Sequence, residues 1–210
     1  MTIEKDFFRQ VMGQFTTGVT VVTACSQDGL AGLTVNSFTS VSLEPPLVLI
    51  CVDVNSTALP FIRASGNFAV NILTSEQEDL SRCFATTSSE RFKHFCHASY
   101  HVASTGSPIL DEALAFIDSR IVEEYPGGDH VIFLGRVEAM GTNGHAAFAN
   151  EEDQGQSNLL ELKIVQSSNS NNLNHSESKA PLVYYRGKYR HLAQDYQRPS
   201  LAASYAEDVK

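Results

Sequence analysis

Apolar residues near the amino terminus fall at Phe7, Phe8, Val11, Met12 and Phe15, a spacing that predicts an amphipathic helix ending near Gly18. From there the period shortens. Residues 19–25 and 30–35 are β-branched runs, and Gln27-Asp28-Gly29 between them signals a hairpin, because Asp-Gly readily takes the positive φ angles of tight turns. Residues 47–52 follow Pro45-Pro46 as a short, almost wholly apolar strand, and residues 67–73 form another. Between them, residues 55–64 read as a short helix, with Asn55 or Ser56 as its cap and Pro60 in its first turn. Residues 75–85 read as a second helix, in which Ser75 and Glu78 have capping-box spacing. Residues 113–124 alternate as a long strand, which Gly127-Gly128-Asp129 turns back into residues 130–140.

Many strands, few helices and no regular strand-helix alternation predict a mainly β chain, an antiparallel barrel with helices at its rim. No GxGxxG follows a strand and no Walker loop is present, so a nicotinamide nucleotide, if used, is not held in the Rossmann manner. From about Gly141 to Ala180 the composition changes to acidic and then Ser/Asn-rich sequence, which cannot bury enough apolar surface to offset its ordering entropy. The segment is expected to be a mobile surface insertion with one strand at residues 159–165. The barrel resumes at residues 181–186. One domain is thus expected over residues 1–192, followed by an acidic tail over 193–210 that is loose after Arg198.

Charge narrows the partners. The formal net charge is -9 and Lys and Arg are scattered singly, so no basic stripe can neutralise a run of phosphates and nucleic acid is not expected. The first residues carry charges where a signal peptide needs an apolar core, and no window approaches a membrane-spanning length, so a soluble cytoplasmic protein is expected. Cys25, Cys51, Cys83 and Cys96 form no CxxC pair, and without a secretory signal they read as reduced, partly buried thiols.

Candidate chemistry begins at residues 33–42, which place hydroxyls and an amide between two apolar strands, where unbonded polar groups cost free energy. Asn and Ser side chains can answer the alternating acceptors and donor of a flavin's pyrimidine edge; a loop satisfying its own turn explains the same composition. Asn55-Ser56-Thr57 stands where the free amides of a helix start favour an anion such as a flavin phosphate, although ordinary capping fits too. Arg82 on the next helix can offer a fork to that phosphate or lie on a solvated face. His130 opens a strand after a glycine turn, at a barrel mouth, able to bond a carboxamide or a flavin oxygen. His94, Cys96, His97 and His101 fit no familiar zinc spacing, so no metal is expected, and no nucleophile elbow supports acyl chemistry.

Taken in order, several of these pieces resemble the short-chain flavin reductase family, the FMN-binding split-barrel reductases that serve two-component monooxygenases. The likeness rests on residues 34–42 followed by Glu44-Pro45-Pro46-Leu47-Val48, on Cys51-Val52-Asp53 with Asn55-Ser56, and on Phe68-Ala69-Val70-Asn71-Ile72-Leu73. It continues in Arg82-Cys83-Phe84-Ala85, Gly128-Asp129-His130, Gly135-Arg136-Val137 and Leu182-Val183-Tyr184-Tyr185-Arg186-Gly187. The resemblance implies a six-stranded antiparallel split barrel of Greek-key type, a homodimer with flavin near the subunit interface, FMN or FAD as flavin, and NADH or NADPH as donor. It implies that Thr34, Asn36, Ser37 and Ser40 line the ring and ribityl chain, with Cys51 and Asp53 near them and Ser56, Thr57 and Arg82 toward the phosphate. His130 would face the nicotinamide, and Tyr185 and Arg186 would border the site.

Hydride would pass directly from nicotinamide to flavin, and the reduced flavin would leave for a partner oxygenase. Two rivals share these residues: a flavoprotein that keeps its flavin and reduces a corrinoid, quinone or metal chelate, and a non-catalytic flavin-binding module. Ser119 stands where the family often has cysteine, and the insertion before Pro181 lies near the expected rim, where it could act as a lid, shift nicotinamide preference or meet a partner.

Overall fold

The Asp28-Gly29 turn joins β2 (Thr20–Ser26) to β3 (Gly29–Val35) as expected, with Gly29 at φ +115°, a conformation that strains any residue with a Cβ. The computed structural model describes residues 3–87, 90–142, 145–149 and 179–192. Before this hairpin lie α1 (Lys5–Met12) and β1 (Thr17–Gly18); after it come β4 (Thr39–Leu43), β5 (Pro46–Asp53), α2 (Leu59–Ser65) and β6 (Asn67–Ile72). A 3-10 turn leads into α3 (Glu78–Phe84), and α4 (Glu90–Lys93) runs into a second 3-10 turn, Phe95–His97. The rest is strand: β7 (Tyr100–Val102), β8 (Pro108–Leu110), β9 (Ala115–Gly127), β10 (His130–Thr142), β11 (His145–Phe148), β12 (Val183–Tyr185) and β13 (Lys188–Arg190). No helix among the described residues is long and apolar enough to cross a membrane.

One antiparallel sheet carries the fold, in the order β3-β2-β6-β9-β10-β5-β4, with β11 paired to β10. Its long strands β2, β3, β5, β6, β9 and β10 make the expected six-stranded barrel with helices at the rim. The path curls on itself where Ser37, just beyond β3, bonds Cys51 of β5. Two small sheets, β1-β12-β13 and β7-β8, lie beside it.

Strand β2 explains why its residues form an apolar run instead of an alternating one. Residues Thr20 to Ala24 are all buried, because both faces of the strand are covered. Val22 and Ala24 face the barrel interior with Ile50, Phe68 and Phe133, and α2 closes that interior with Leu59 and Ile62. Val19 and Val21 face a second cluster with Phe84 of α3, Phe95, Leu110 and Leu182. Asn71 of β6, fully buried, links these layers: its Nδ2 donates to the Val21 carbonyl and Thr23 Oγ1, and its Oδ1 accepts from the Leu110 amide. All its bonding capacity toward β2 and β8 is used, as burial requires.

Several sequence expectations are corrected. Helix α1 stops at Met12, five residues short of the first strand, and buries none of its residues. Helix α2 starts at Leu59 with Ala58 as its N-cap, because Asp53 folds the preceding residues into a turn of their own. The capping box ahead of α3 is formed by Thr74 and Gln77, one residue before the expected pair. The chain does not leave the barrel at Gly141, since β11 continues the sheet to Phe148. Cys83 and Cys96 are joined in a disulfide, against the expectation of reduced thiols, while Cys25 and Cys51 are free. The physical reason is that Phe84 and Phe95 pack edge to face, which brings the neighbouring cysteines to a Cα separation of 6.0 Å, within bonding reach. The strand expected at residues 159–165 and the tail beyond Arg198 lie outside the described residues.

Gly135 of β10 is a close-approach glycine. A Cβ there would stand 2.6 Å from the buried Phe68 ring and 2.9 Å from Ser119 Cβ. We expect Gly135→Ala to lower stability by about 1–3 kcal/mol through overpacking, measured by denaturant unfolding. An unchanged midpoint would show that Phe68 moves aside freely.

Candidate functional site

Strands β5 and β10 pair so that Asp53 stands opposite His130 and Cys51 opposite Ile132. The β9-β10 turn is only Gly128-Asp129, with Gly128 at φ +76°, and it leaves His130 half exposed at the strand end. The Asp129 carboxylate lies 2.7 Å from His130 Nδ1, and this contact holds the Asp129 carboxyl below its ordinary range. The Asp129 carbonyl in turn accepts from the Val54 amide at 3.1 Å, tying the histidine's turn to the segment beyond β5.

That segment is shaped by Asp53, whose Oδ1 accepts from the Asn55 amide at 2.7 Å and from Asn55 Nδ2 at 3.2 Å. The Ser56 amide donates to the Asp53 carbonyl, and Ser56 Oγ accepts from the Ala58 amide. Asn55, Ser56 and Thr57 therefore lie in a turn ahead of α2, and not in its first turn. Helix α2 has seven residues and offers little dipole for an anion, so positive charge must come from a side chain.

Arg91 of α4 supplies it. The residue is only 9% exposed, its Nη2 donates to Thr57 Oγ1 at 3.1 Å, and its Nε has no partner among the described residues. Its guanidinium lies 4.6 Å from the Phe92 ring centre, and Phe92 packs edge to face on Phe61 of α2. Burial pulls the Arg91 pKa below its ordinary value, the signature of a cation short of compensation. A buried guanidinium with a spare donor beside two hydroxyls is chemically suited to a phosphate, so the residues present fit a flavin nucleotide.

On the other side of Asp53, Ser37 Oγ donates to the Cys51 carbonyl at 2.9 Å and accepts from its amide at 3.1 Å. Strand β4 pairs Thr39 with Leu49; two residues before Thr39 and two beyond Leu49, the Ser37 hydroxyl supplies the next rung on Cys51. Burial pushes the neighbouring Cys51 thiol up. Thr34 Oγ1 donates to the Ser81 carbonyl at 2.6 Å, fastening β3 to α3, whereas Asn36 and Ser40 are exposed, Ser40 at an irregularity in the β4-β5 ladder.

Thus Ser37, Cys51, Asp53, Ser56, Thr57 and His130 converge on one strand end. Arg82, Tyr185 and Arg186 do not join them through any contact among the described residues. Arg82 forms an ion pair with Glu78 at 2.5 Å and lies over the Tyr189 ring, beside an open groove of about 570 Å³ shared with Lys188 and Arg190. Arg186 donates to Gln14 Oε1 and, through its amide, to the Gly13 carbonyl; it stacks near Tyr185 in the corner beside α1. The histidine-rich stretch is otherwise engaged, with Cys96 bonded to Cys83 and His101 Nδ1 2.9 Å from Asp111. Sequence reasoning missed Arg91. Arg82 and Arg91 stand within ten residues, each with a phenylalanine close after it, Phe84 and Phe92, so no local signal separates the two.

Comparison with known proteins decides the family. Residues 12–193 match the model of the flavin reductase like domain. The chain belongs to that family. The reductase subunit HsaB of a flavin-dependent monooxygenase from Mycobacterium tuberculosis is 40% identical over 138 residues, 66% of this chain and 72% of that protein. The NADH-dependent FMN reductase AsuE2 of Streptomyces nodosus subsp. asukaensis is 42% identical over 142 residues, 64% of this chain and 74% of its own. Among solved structures, the NADH:FAD oxidoreductase SgcE6 of Streptomyces globisporus, with NAD and FAD fragments, superposes with a TM-score of 0.70 at 31% identity, covering 92% of this chain and 95% of that one. The split barrel is the fold of this family, and its activity is flavin reduction by a nicotinamide nucleotide.

The Ser37 clasp is testable by itself. Ser37→Ala strands a half-buried amide and carbonyl of Cys51, which should lower stability by about 1–3 kcal/mol. Amide exchange at Cys51 that stays slow in this variant would show another group filling the rung.

Proposed function

We propose that this chain is a cytoplasmic NAD(P)H:flavin oxidoreductase that binds FMN or FAD at the β5-β10 strand end and releases the reduced flavin to a partner oxygenase. The observation that carries the reading is the Asp53-His130 rung, with Ser56, Thr57 and the partly satisfied Arg91 guanidinium in the turn that follows. The nicotinamide supplies a hydride and the flavin takes it up, so the reacting atoms belong to the bound molecules and the protein's share is alignment.

Arg91, Thr57 and Ser56 hold the flavin phosphate; a guanidinium screened from water attracts that dianion more strongly than an exposed one. Ser37, Cys51 and Asp53 form the wall along the ring, and the exposed Asn36 and Ser40 provide donors and acceptors for its pyrimidine edge. Thr34 braces that wall from behind through Ser81. Asp129 fixes the His130 ring through Nδ1, leaving the other nitrogen for the nicotinamide carboxamide. Asp53, Asn55 and Thr57 are exposed, so the site is open to solvent and suited to a flavin that leaves. In this reading Arg91 takes the phosphate role and Arg82 keeps its pair with Glu78.

A homodimer accounts for the bare face of α1, where Phe7, Phe8, Val11 and Met12 are each more than half exposed. Tyr185 and Arg186, held at that corner through Gln14, then lie at the subunit boundary and border the site from there.

The deciding experiment is NADH or NADPH oxidation by purified protein with and without added FMN or FAD. Turnover that needs added flavin and saturates with it is expected; turnover by a flavin that stays bound would sink the release step. His130→Ala should slow hydride transfer and raise KM for NADH with flavin affinity little changed, and an unaltered single-turnover rate would remove His130 from the reaction. Replacing Ser56 and Thr57 together by Ala should weaken flavin binding by about 1–3 kcal/mol; an unchanged Kd places the phosphate elsewhere.

A further inference from the structure

The geometry points to Cys83 and Cys96 as a reversible thiol-disulfide site that sets how firmly Arg91 is held against Thr57, and through Arg91 the affinity for flavin. Cys83 lies in the last turn of α3 and Cys96 in the turn after α4, and both are only half buried, within reach of small thiols. The bond spans 13 residues, and Arg91 and Phe92 lie inside the closed loop.

Three features make the covalent tie matter to that loop. First, α4 has four residues, far fewer than a helix needs to persist without outside support. Second, Phe95, Cys96 and His97 stand at φ +45°, +52° and +56°, three consecutive L-residues in the left-handed region, which persists only where the surroundings over-determine it. The surroundings here are the buried Phe95 ring between Phe84 and Tyr100, two turn hydrogen bonds, and the disulfide in the middle of the run. Third, the loop reaches α2 and its preceding turn through Arg91 Nη2 on Thr57 Oγ1 and Phe92 on Phe61. Opening the bond lets the left-handed turn relax toward ordinary φ angles and removes the constraint on the helix that presents Arg91.

The chemistry balances with ordinary cellular co-reactants. Two molecules of a low-molecular-weight thiol give up two electrons and two protons; the Cys83-Cys96 bond breaks to two thiols and the small molecules leave as their own disulfide. In the other direction hydrogen peroxide takes the two electrons and two protons and becomes two waters while the bond re-forms. Cys83 and Cys96 act as positioning residues, with no contact to flavin required of either.

The link to flavin rests on the phosphate role proposed for Arg91; the redox site itself does not. The test uses the full chain, oxidised by peroxide or reduced by a phosphine, with intact mass reporting the state of the bond. Two quantities are measured in each state: amide hydrogen exchange over residues 85–97, and the Kd for FMN by fluorescence. Reduction should speed exchange in that segment and weaken FMN binding about tenfold, the scale of one lost charge-assisted hydrogen bond. The Cys83→Ser/Cys96→Ser variant should show the weaker Kd and ignore reductant. Equal exchange and equal Kd in both states overturn the proposal, as does a reductant effect that survives in the double variant. Faster exchange with an unchanged Kd overturns the coupling to flavin. Faster exchange with no FMN binding in either state upholds the thiol-disulfide site and overturns the phosphate reading.

Discussion

A buried amide that must find all its partners inside the protein fixes the centre of this fold. Asn71 reaches from β6 to the backbone of β2 and to Thr23, and receives the amide of Leu110 from β8. Removing any of these partners would leave a polar group dry and unpaired, so the three segments have one admissible arrangement. Leu110 thereby sits in the outer apolar cluster with Phe84 and Phe95, which places α3 and the turn after α4. On the inner side the same strands present Val22, Val70 and Phe68 to the barrel interior that α2 closes. Both walls that meet at the candidate site are positioned from this point.

The site itself is made by strand ends, with helices in a secondary part. Register alone sets Asp53 across from His130, and a carboxylate at the end of β5 folds the next four residues into a turn that offers hydroxyls. A longer α2 would have lent its dipole to an anion there. The chain instead borrows one cation from a separate helix and keeps it nearly dry, which raises its attraction for a phosphate while leaving the mouth of the site open.

The sequence made the strands legible because period, β-branching and turn chemistry agree. Asp28-Gly29 and Gly128-Asp129 fall where the hairpins turn, and the long β9-β10 ribbon follows its alternation. Helix starts were less legible. Asn55, Ser56 and Ser75 are all good caps by type, yet none takes the N-cap position, because Asp53 folds the first two into a turn ahead of α2 and Thr74 stands at the cap ahead of Ser75. The convergence of Ser37, Cys51, Asp53 and His130 was readable through family resemblance, since their separations along the chain carry no local signal. Arg91 could not be distinguished from Arg82 without knowing which is buried, and a cysteine pair separated by 13 residues has no motif spacing to announce it. The exposure of the α1 apolar face was hidden too, because an amphipathic period does not say whether its partner is the same chain.

The segment between β11 and β12 leaves and returns at anchored points. The Ala149 amide donates to the Glu138 carbonyl on β10, and the Ala180 carbonyl accepts from the Ser75 amide, with Lys179 paired to Glu76 and Glu112. The barrel is hydrogen-bonded where the chain leaves it and where it returns, and the entropy of closing a connection grows only slowly with its length. Residues could be gained or lost there over evolutionary time at small cost to folding, so this stretch is a position where a lineage can graft new recognition onto an unchanged reductase.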